Sequence, residues 1–224
     1  TLREVLPYWE DKTISDLASS YMSEKTQECI ANGIFTVGNY FFGGVGHIII
    51  DYDKAIRRGY KAIIQDAVEA LKSFDCNDPE FIQKTQFCKA VITVLSAAIN
   101  FAKRYSDKAK EMAAVETNPT RKAELLQIAA NCENVPANGA TNFYEASQSF
   151  INTQMILQVE SSGHSESPGR FDQYMYPYLE KDLANGSITK DFAQELLDCV
   201  FVKLNDLNKV RDQISAQAFA GFQV

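Results

Sequence analysis

The stretch Asn39-Tyr-Phe-Phe-Gly-Gly-Val-Gly-His-Ile-Ile-Ile50 interrupts a chain that otherwise reads as one helix after another. Its glycines disfavour a helix, and the β-branched run Ile48-Ile49-Ile50 favours extended backbone. The segment from Ile34 to Ile50 is therefore expected to be a glycine-rich loop running into a short buried strand.

On the N-terminal side, a short helix from Glu24 should stop at Asn32-Gly33, a natural left-handed end. The opening, Leu2 to Tyr21, is mixed and carries no firm assignment. On the C-terminal side, Asp53 is positioned to cap a helix with the apolar stripe Ile56, Tyr60, Ile63, Ala67, Leu71 and Phe74. Asp78-Pro79-Glu80 combines a capping acid with a proline at the first helical position, and opens a helix running to about Glu116. Asn118-Pro119 repeats the signal for a helix ending near Asn134-Val135-Pro136. Another helix runs from near Thr141 to Val159. Glu160 to Arg170 reads as a polar loop, Phe171 to Leu183 as a short helix closed by Asn185-Gly186. Thr189 caps a last helix with the stripe Phe192, Leu196, Val200, Leu204, Leu207, Val210 and Ile214, stopping near Gly221. One or two strands among so many helices make an odd complete domain. The pattern fits part of an α/β structure whose other strands lie elsewhere.

Composition narrows the function classes. The 224 residues carry 22 Lys+Arg against 29 Asp+Glu, a net charge of −7, which argues against nucleic acid or an anionic membrane as partner. At 46% hydrophobic and 23% charged, the chain has enough apolar residues for a core. Its most apolar helical stretch, Ala90 to Ala102, contains Thr93, Ser96 and Asn100 and reads as too short and too polar to span a bilayer. No charged-then-apolar leader opens the chain, and the expected location is the cytoplasm. The five cysteines, Cys29, Cys76, Cys88, Cys132 and Cys199, show no CxxC spacing, which argues against zinc, iron–sulfur and thioredoxin-type sites and fits a reducing compartment. With only His47 and His164, a histidine-rich metal site is not expected either.

Two loops are chemically suggestive. In Asn39 to His47, glycines would let a backbone approach a ligand, yet Gly44-x-Gly46 has Ile49 where a dinucleotide fingerprint needs its third glycine, and no GK[ST] follows. His47 reads either as a histidine satisfied by neighbouring backbone at a strand start or as a proton donor, since imidazole titrates near neutrality. The second loop, Gly163-His-Ser-Glu-Ser-Pro-Gly-Arg-Phe-Asp-Gln-Tyr174, reads as a surface turn by composition. A serine–histidine nucleophile is poorly supported, because His164 directly precedes Ser165 and no elbow motif is present. In the last helix Asn205, Asn208 and Asp212 share one side, either as a solvated face or as a buried hydrogen-bond network.

Taken together, Gly44-Val-Gly-His-Ile48 followed by Asp51-Tyr52, and Gly163-His-Ser-Glu-Ser-Pro-Gly-Arg-Phe-Asp-Gln-Tyr-Met-Tyr-Pro177, resemble the glycyl radical enzymes of the pyruvate formate-lyase-like superfamily. Asn100-Phe-Ala-Lys-Arg-Tyr105, Thr120-Arg-Lys-Ala-Glu-Leu-Leu126 and Lys203-Leu-Asn-Asp-Leu-Asn-Lys-Val-Arg-Asp212 extend the resemblance over essentially the whole chain. It implies a mostly α segment, residues 1–224, of a ten-stranded α/β barrel. It also implies a backbone glycyl radical that passes its spin to a cysteine thiyl, which abstracts hydrogen from substrate. Neither a Gly-Cys-Val-Glu-like nor an Arg-Val-x-Gly-Tyr-like motif occurs here, so the chain is expected to be an internal piece of the N-terminal half, inactive alone.

Among such enzymes the glycerol and propane-1,2-diol dehydratases line their pocket with an asparagine, a histidine eight residues later and a distant serine. Asn39, His47 and Ser165 fall on those positions. The resemblance thus implies a small polyol substrate, His47 as the acid that protonates the departing hydroxyl, and Asn39 and Ser165 as holders of the two hydroxyls. Phe222 is expected at the pocket edge, with Arg170 and Asp172 as a structural ion pair clamping the loop beneath Ser165. It further implies no bound metal or cofactor besides the radical, a radical S-adenosylmethionine activase, a homodimer, and anaerobic operation. Two alternatives remain open. One is a related lyase cleaving C–N or C–S bonds, of the choline, hydroxyproline or isethionate type. The other is a non-catalytic helical scaffold derived from the family.

Overall fold

The computed structural model describes residues 2–35, 48–160 and 166–207. These are mostly helical. The opening forms α1 (Leu2–Trp9) and α2 (Ile14–Ser20), where the sequence offered no firm assignment. A reciprocal Thr13–Asp16 capping box starts α2. Ser23 caps α3 (Glu24–Ala31), which stops at Asn32-Gly33 as expected.

Next come β1 (Ile48–Ile49), α4 (Tyr52–Ser73), α5 (Phe81–Val115), α6 (Pro119–Asn134), α7 (Phe143–Glu160), β2 (Glu166–Ser167), α8 (Phe171–Ala184) and α9 (Lys190–Asp206). Several starts follow the sequence. Asn118 Oδ1 accepts from the amides of Thr120 and Arg121, with Pro119 in the first turn, and Thr189 Oγ1 accepts from Phe192 N. Two starts move. Asp51, not Asp53, caps α4 by accepting from Lys54 N at 3.1 Å, while Asp53 pairs with Arg57 one turn on. Asp78 acts one turn before α5, accepting from Glu80 N at 2.8 Å and from Lys84 at 2.6 Å, so the helix begins at Phe81.

α4, α5 and α6 run up, down and up through short connections. At 1.5 Å per residue the 35-residue α5 is about 52 Å long. Its packed side is a seam of small residues, Ala98, Ala102, Ser106, Ala109 and Ala113, which lets neighbouring backbones come close. Ser106 Oγ donates to Ala129 O of α6 at 2.8 Å. Because α5 extends past both ends of the Ala90–Ala102 stretch, length no longer excludes a membrane span. An 18-residue window of mean hydropathy 1.3 is long and apolar enough by composition. The helix nevertheless packs between α4 and α6 along its alanine seam.

α7 is the hub. It packs against α4, α5, α6, α8, α9 and β2, and nine of its residues are buried. Asp182 of α8 accepts from Phe143 N at 2.7 Å, satisfying one of the helix's open N-terminal amides and setting a carboxylate at the positive end of the dipole. The main core gathers Tyr52 and Ile56 of α4, Phe143, Ala146, Phe150 and Ile151 of α7, Met175 of α8, and Ala193, Leu196 and Val200 of α9. In α9 the stripe therefore holds at Leu196 and Val200, but Ala193 is buried where Phe192 was expected. Phe192 lies at the edge against Tyr144.

β1 and β2 pair in parallel, Ile48 with Glu166 and Ile49 with Ser167. Two expectations change here. The segment Glu160 to Arg170 contains a strand, and Glu166 within it is buried. β1 is a strand as expected but is not buried, with Ile48 44% and Ile49 74% exposed. Isoleucines pack when other strands or helices cover a sheet's faces, and among the described residues only β2 lies beside β1.

Candidate functional site

In the sequence β1 directly follows the first chemically suggestive loop, and β2 lies within the second. The environment of the strand pair is built by α4, α7 and α8. Tyr52 opens α4 directly after β1, and its amide donates to Ile50 O at 2.9 Å. Its ring lies against Phe150, centroids 4.8 Å apart, and stacks on Tyr174 at 5.8 Å and 27°. Tyr52 is 1% exposed, and its hydroxyl donates to Gln154 Oε1 of α7. The other end of that amide faces β2, where Gln154 Nε2 donates to Glu166 O at 3.1 Å. Tyr174 of α8 adds a bond from its hydroxyl to Pro168 O at 2.8 Å, just beyond β2. Gly169, at φ 66°, brings the chain so near β1 that a Cβ there would sit 2.7 Å from Ile49 Cγ2.

Burial, followed by the nearby Tyr174 and Glu166, pushes the Tyr52 hydroxyl well above its usual titration range. Burial does the same for Tyr174. Both phenols are therefore neutral donors under ordinary conditions, and Gln154 carries no charge. Together they form a frame that holds backbone in place. A cavity of about 380 Å³ opens beside this frame, lined by Gln154, Gln158, Glu166, Pro168, Phe201 and Leu204 among others. Its polar walls are amide and carboxyl groups, suited to hydrogen-bonding partners.

Asn39, His47, Ser165 and Phe222 all lie outside the described residues, as do Asn208 and Asp212 of the expected polar network. Asn205, also in that network, is exposed and borders the cavity. The Arg170–Asp172 pair exists at 3.7 Å, but both side chains are largely exposed, so it contributes little and does not clamp the loop. Asp172 is held below the usual carboxylate range first by its bond from Gln173, and only then by Arg170. Tyr174 and Gly169 hold that loop instead. The sequence reading had no signal for Gln154, a polar residue on an ordinary-looking helix. Tyr52 and Tyr174 were quoted for the family resemblance without a role. Among the described residues no three His, Cys, Asp or Glu side chains cluster to hold a metal ion. All five cysteines are free thiols, and burial raises that of Cys132, which makes it a poor nucleophile.

Comparison with known proteins places this architecture. Residues 1–224 match the family model described as pyruvate formate lyase-like. A solved structure of 1,2-propanediol dehydration in Roseburia inulinivorans is 47% identical with a TM-score of 0.87, covering 99% of this chain and 26% of that one. The glycerol-bound form of the B12-independent glycerol dehydratase from Clostridium butyricum is 50% identical with a TM-score of 0.85, covering 96% and 27%. Among curated relatives, (2S)-3-sulfopropanediol dehydratase of Klebsiella oxytoca is 38% identical over 212 residues, 94% of this chain and 26% of its own length. The chain thus spans about a quarter of the length of these relatives. A family match over every residue, with a superposable fold at up to half identity, means that this chain belongs to the pyruvate formate lyase-like family of glycyl radical enzymes.

Proposed function

We propose that these 224 residues are a substrate-pocket segment, a partial barrel domain, of a glycyl radical diol dehydratase that converts glycerol or propane-1,2-diol to an aldehyde and water. The observation that carries this reading is the 47% and 50% identity to structures concerned with 1,2-propanediol and glycerol dehydration, above the 38% to the sulfonated-diol enzyme. The parallel β1–β2 pair and the uncovered isoleucines of β1 support its place in a larger parallel barrel of ten strands.

The glycyl radical, acting through a cysteine thiyl, supplies hydrogen abstraction at the substrate carbon. Neither carrier motif is among these residues, so in this reading both stand in the remaining length of such an enzyme. This chain binds and orients. Asn39 and Ser165 hold the two hydroxyls, and Phe222 bounds the pocket. His47, as imidazolium, donates a proton from a ring N–H to the departing hydroxyl oxygen, which leaves as water. Hydroxide is a poor leaving group, so a positioned acid lowers that barrier. His47 and Ser165 are the residues immediately before Ile48 and Glu166, which are register partners. That adjacency supports their convergence on one substrate. Buried groups made for two hydroxyls would reject mono-alcohols, which leave one of them unmet. In the same reading the enzyme is cytoplasmic, is activated by a radical S-adenosylmethionine enzyme, and works as a homodimer.

The test is turnover by the full-length protein carrying this chain, activated anaerobically and offered glycerol and propane-1,2-diol. Aldehyde formation is expected, with His47→Ala at least about a hundredfold slower. Unaltered turnover in His47→Ala removes the acid role. Sulfite or amine release from a sulfonate or choline-type substrate, with the diols untouched, assigns the chain to another lyase. Failure to acquire any glycyl radical points to the scaffold alternative.

A further inference from the structure

The Tyr52–Gln154 pair does more than fill the core. Gln154 is 3% exposed and sits at the hub helix with both ends of its amide engaged. Its oxygen accepts from the Tyr52 hydroxyl on the β1 side, and its nitrogen donates to the Glu166 carbonyl on the β2 side. Tyr52 is in turn tied to β1 through its own amide and Ile50 O. Gln154 therefore joins the exit of β1 to β2 through three consecutive hydrogen bonds, Ile50 backbone to Tyr52, Tyr52 to Gln154, and Gln154 to Glu166 backbone. Each strand shows only two residues of pairing, which is little to define register. An amide that must satisfy a donor on one side and an acceptor on the other tolerates no slip, because a shifted strand would leave buried polar groups unpaired.

We infer that Tyr52 and Gln154 are positioning residues that hold β1 and β2 in register and so govern the spacing of His47 and Ser165, which precede the two strands in sequence. This rests on the reading of His47 and Ser165 as pocket residues. The stacking of Tyr52 between Phe150 and Tyr174 fixes its ring, so the hydroxyl has one direction to point. Neither side chain carries a charge near neutrality, so the pair acts through position alone.

The experiment compares Tyr52→Phe, Gln154→Leu and the double variant in the full-length activated enzyme. Turnover is expressed per glycyl radical, counted by electron paramagnetic resonance, well below the thermal midpoint. Misplacement of about an ångström is costly for a reaction that depends on orientation, so kcat per radical should fall about tenfold or more in each single variant. The pH profile should be unmoved. The double variant should be no slower than Gln154→Leu, since both changes break one relay. Amide hydrogen exchange should rise together in peptides covering 48–52 and 166–169. Variants with a lower melting point but parental kcat per radical, multiplicative losses in the double, or unchanged exchange in those peptides would each overturn the inference. If the parental enzyme dehydrates neither diol, the functional reading fails separately. The exchange measurement then still decides whether the relay sets the strand pair.

Discussion

Gly59 shows how much one position can demand. It lies inside α4 yet has φ 72° and ψ 162°, so the helix is broken at that point. The opening places α4 against the 136–140 segment as if it were a strand. Tyr60 N and Lys61 N donate to Pro136 O and Ala137 O, and Ala140 N donates to Ile56 O. The backbones are so close that a Cβ on Gly59 would stand 2.2 Å from Asn138 C, and one on Gly139 2.3 Å from Arg57 O. Both the dihedral and the space require glycine. Gly59→Ala should therefore cost more than about 3 kcal/mol in urea unfolding, whereas a glycine in an ordinary helix would become more stable on the same change. A cost under about 1 kcal/mol would show that the backbone contact is not what holds this corner. The apolar stripe Ile56, Tyr60, Ile63 was legible in the sequence and is correct. The break within it was not, because nothing near Gly59 in the sequence reveals the 136–140 segment that it touches.

At the level of elements, the α5–α6 hairpin depends on small side chains. Ala109 and Ala113 lie on the same face as Ser106, whose hydroxyl bonds to Ala129 O and to Glu133. Lys110 at 2.7 Å also binds Glu133, and these contacts hold its carboxyl below the usual range. That pairing is solvent-exposed and adds little, so packing carries the interface. Ala113→Leu should force the helices apart and lower stability by about 1–3 kcal/mol, read as a shifted urea midpoint. Glu133→Gln should change it by less than about 1 kcal/mol. The reverse ranking would make the ion cluster the main contributor. The hairpin was readable in advance from Asn118-Pro119, a capping amide followed by a residue that can only begin a helix. The strand pair was half readable. The branched run 48–50 indicated extended backbone, but Glu166-Ser167 is polar and short, and becomes a strand only through its pairing with β1.

For the molecule as a whole, the buried phenols shape the response to pH. Tyr52, Tyr60 and Tyr174 are all pushed above the usual phenol value of 10.0, chiefly by burial. The folded state thus binds these protons more tightly than the unfolded chain. That contribution is fully present below the unfolded value and is lost as pH rises through and beyond it. The urea midpoint should be lower at about pH 11 than at about pH 8, and Tyr60→Phe should lessen the drop. An equal drop in that variant would assign the alkaline sensitivity to other groups. Tyr60 also shares a 2.8 Å bond with Thr153 of α7, so the variant should cost some stability at both pH values.

The sequence alone determined the helices from α3 to α9 and their order, because caps, prolines and 3–4 apolar spacing act over a few neighbouring residues. It also carried the family resemblance, in five stretches of residues. Tertiary structure alone decided that Glu166 is buried in a strand, that Gly59 breaks its helix, and that Gln154 links β1 to β2. Each of these depends on a partner distant in the sequence, and a polar side chain or a glycine acquires such a role only when folding brings that partner within bonding distance.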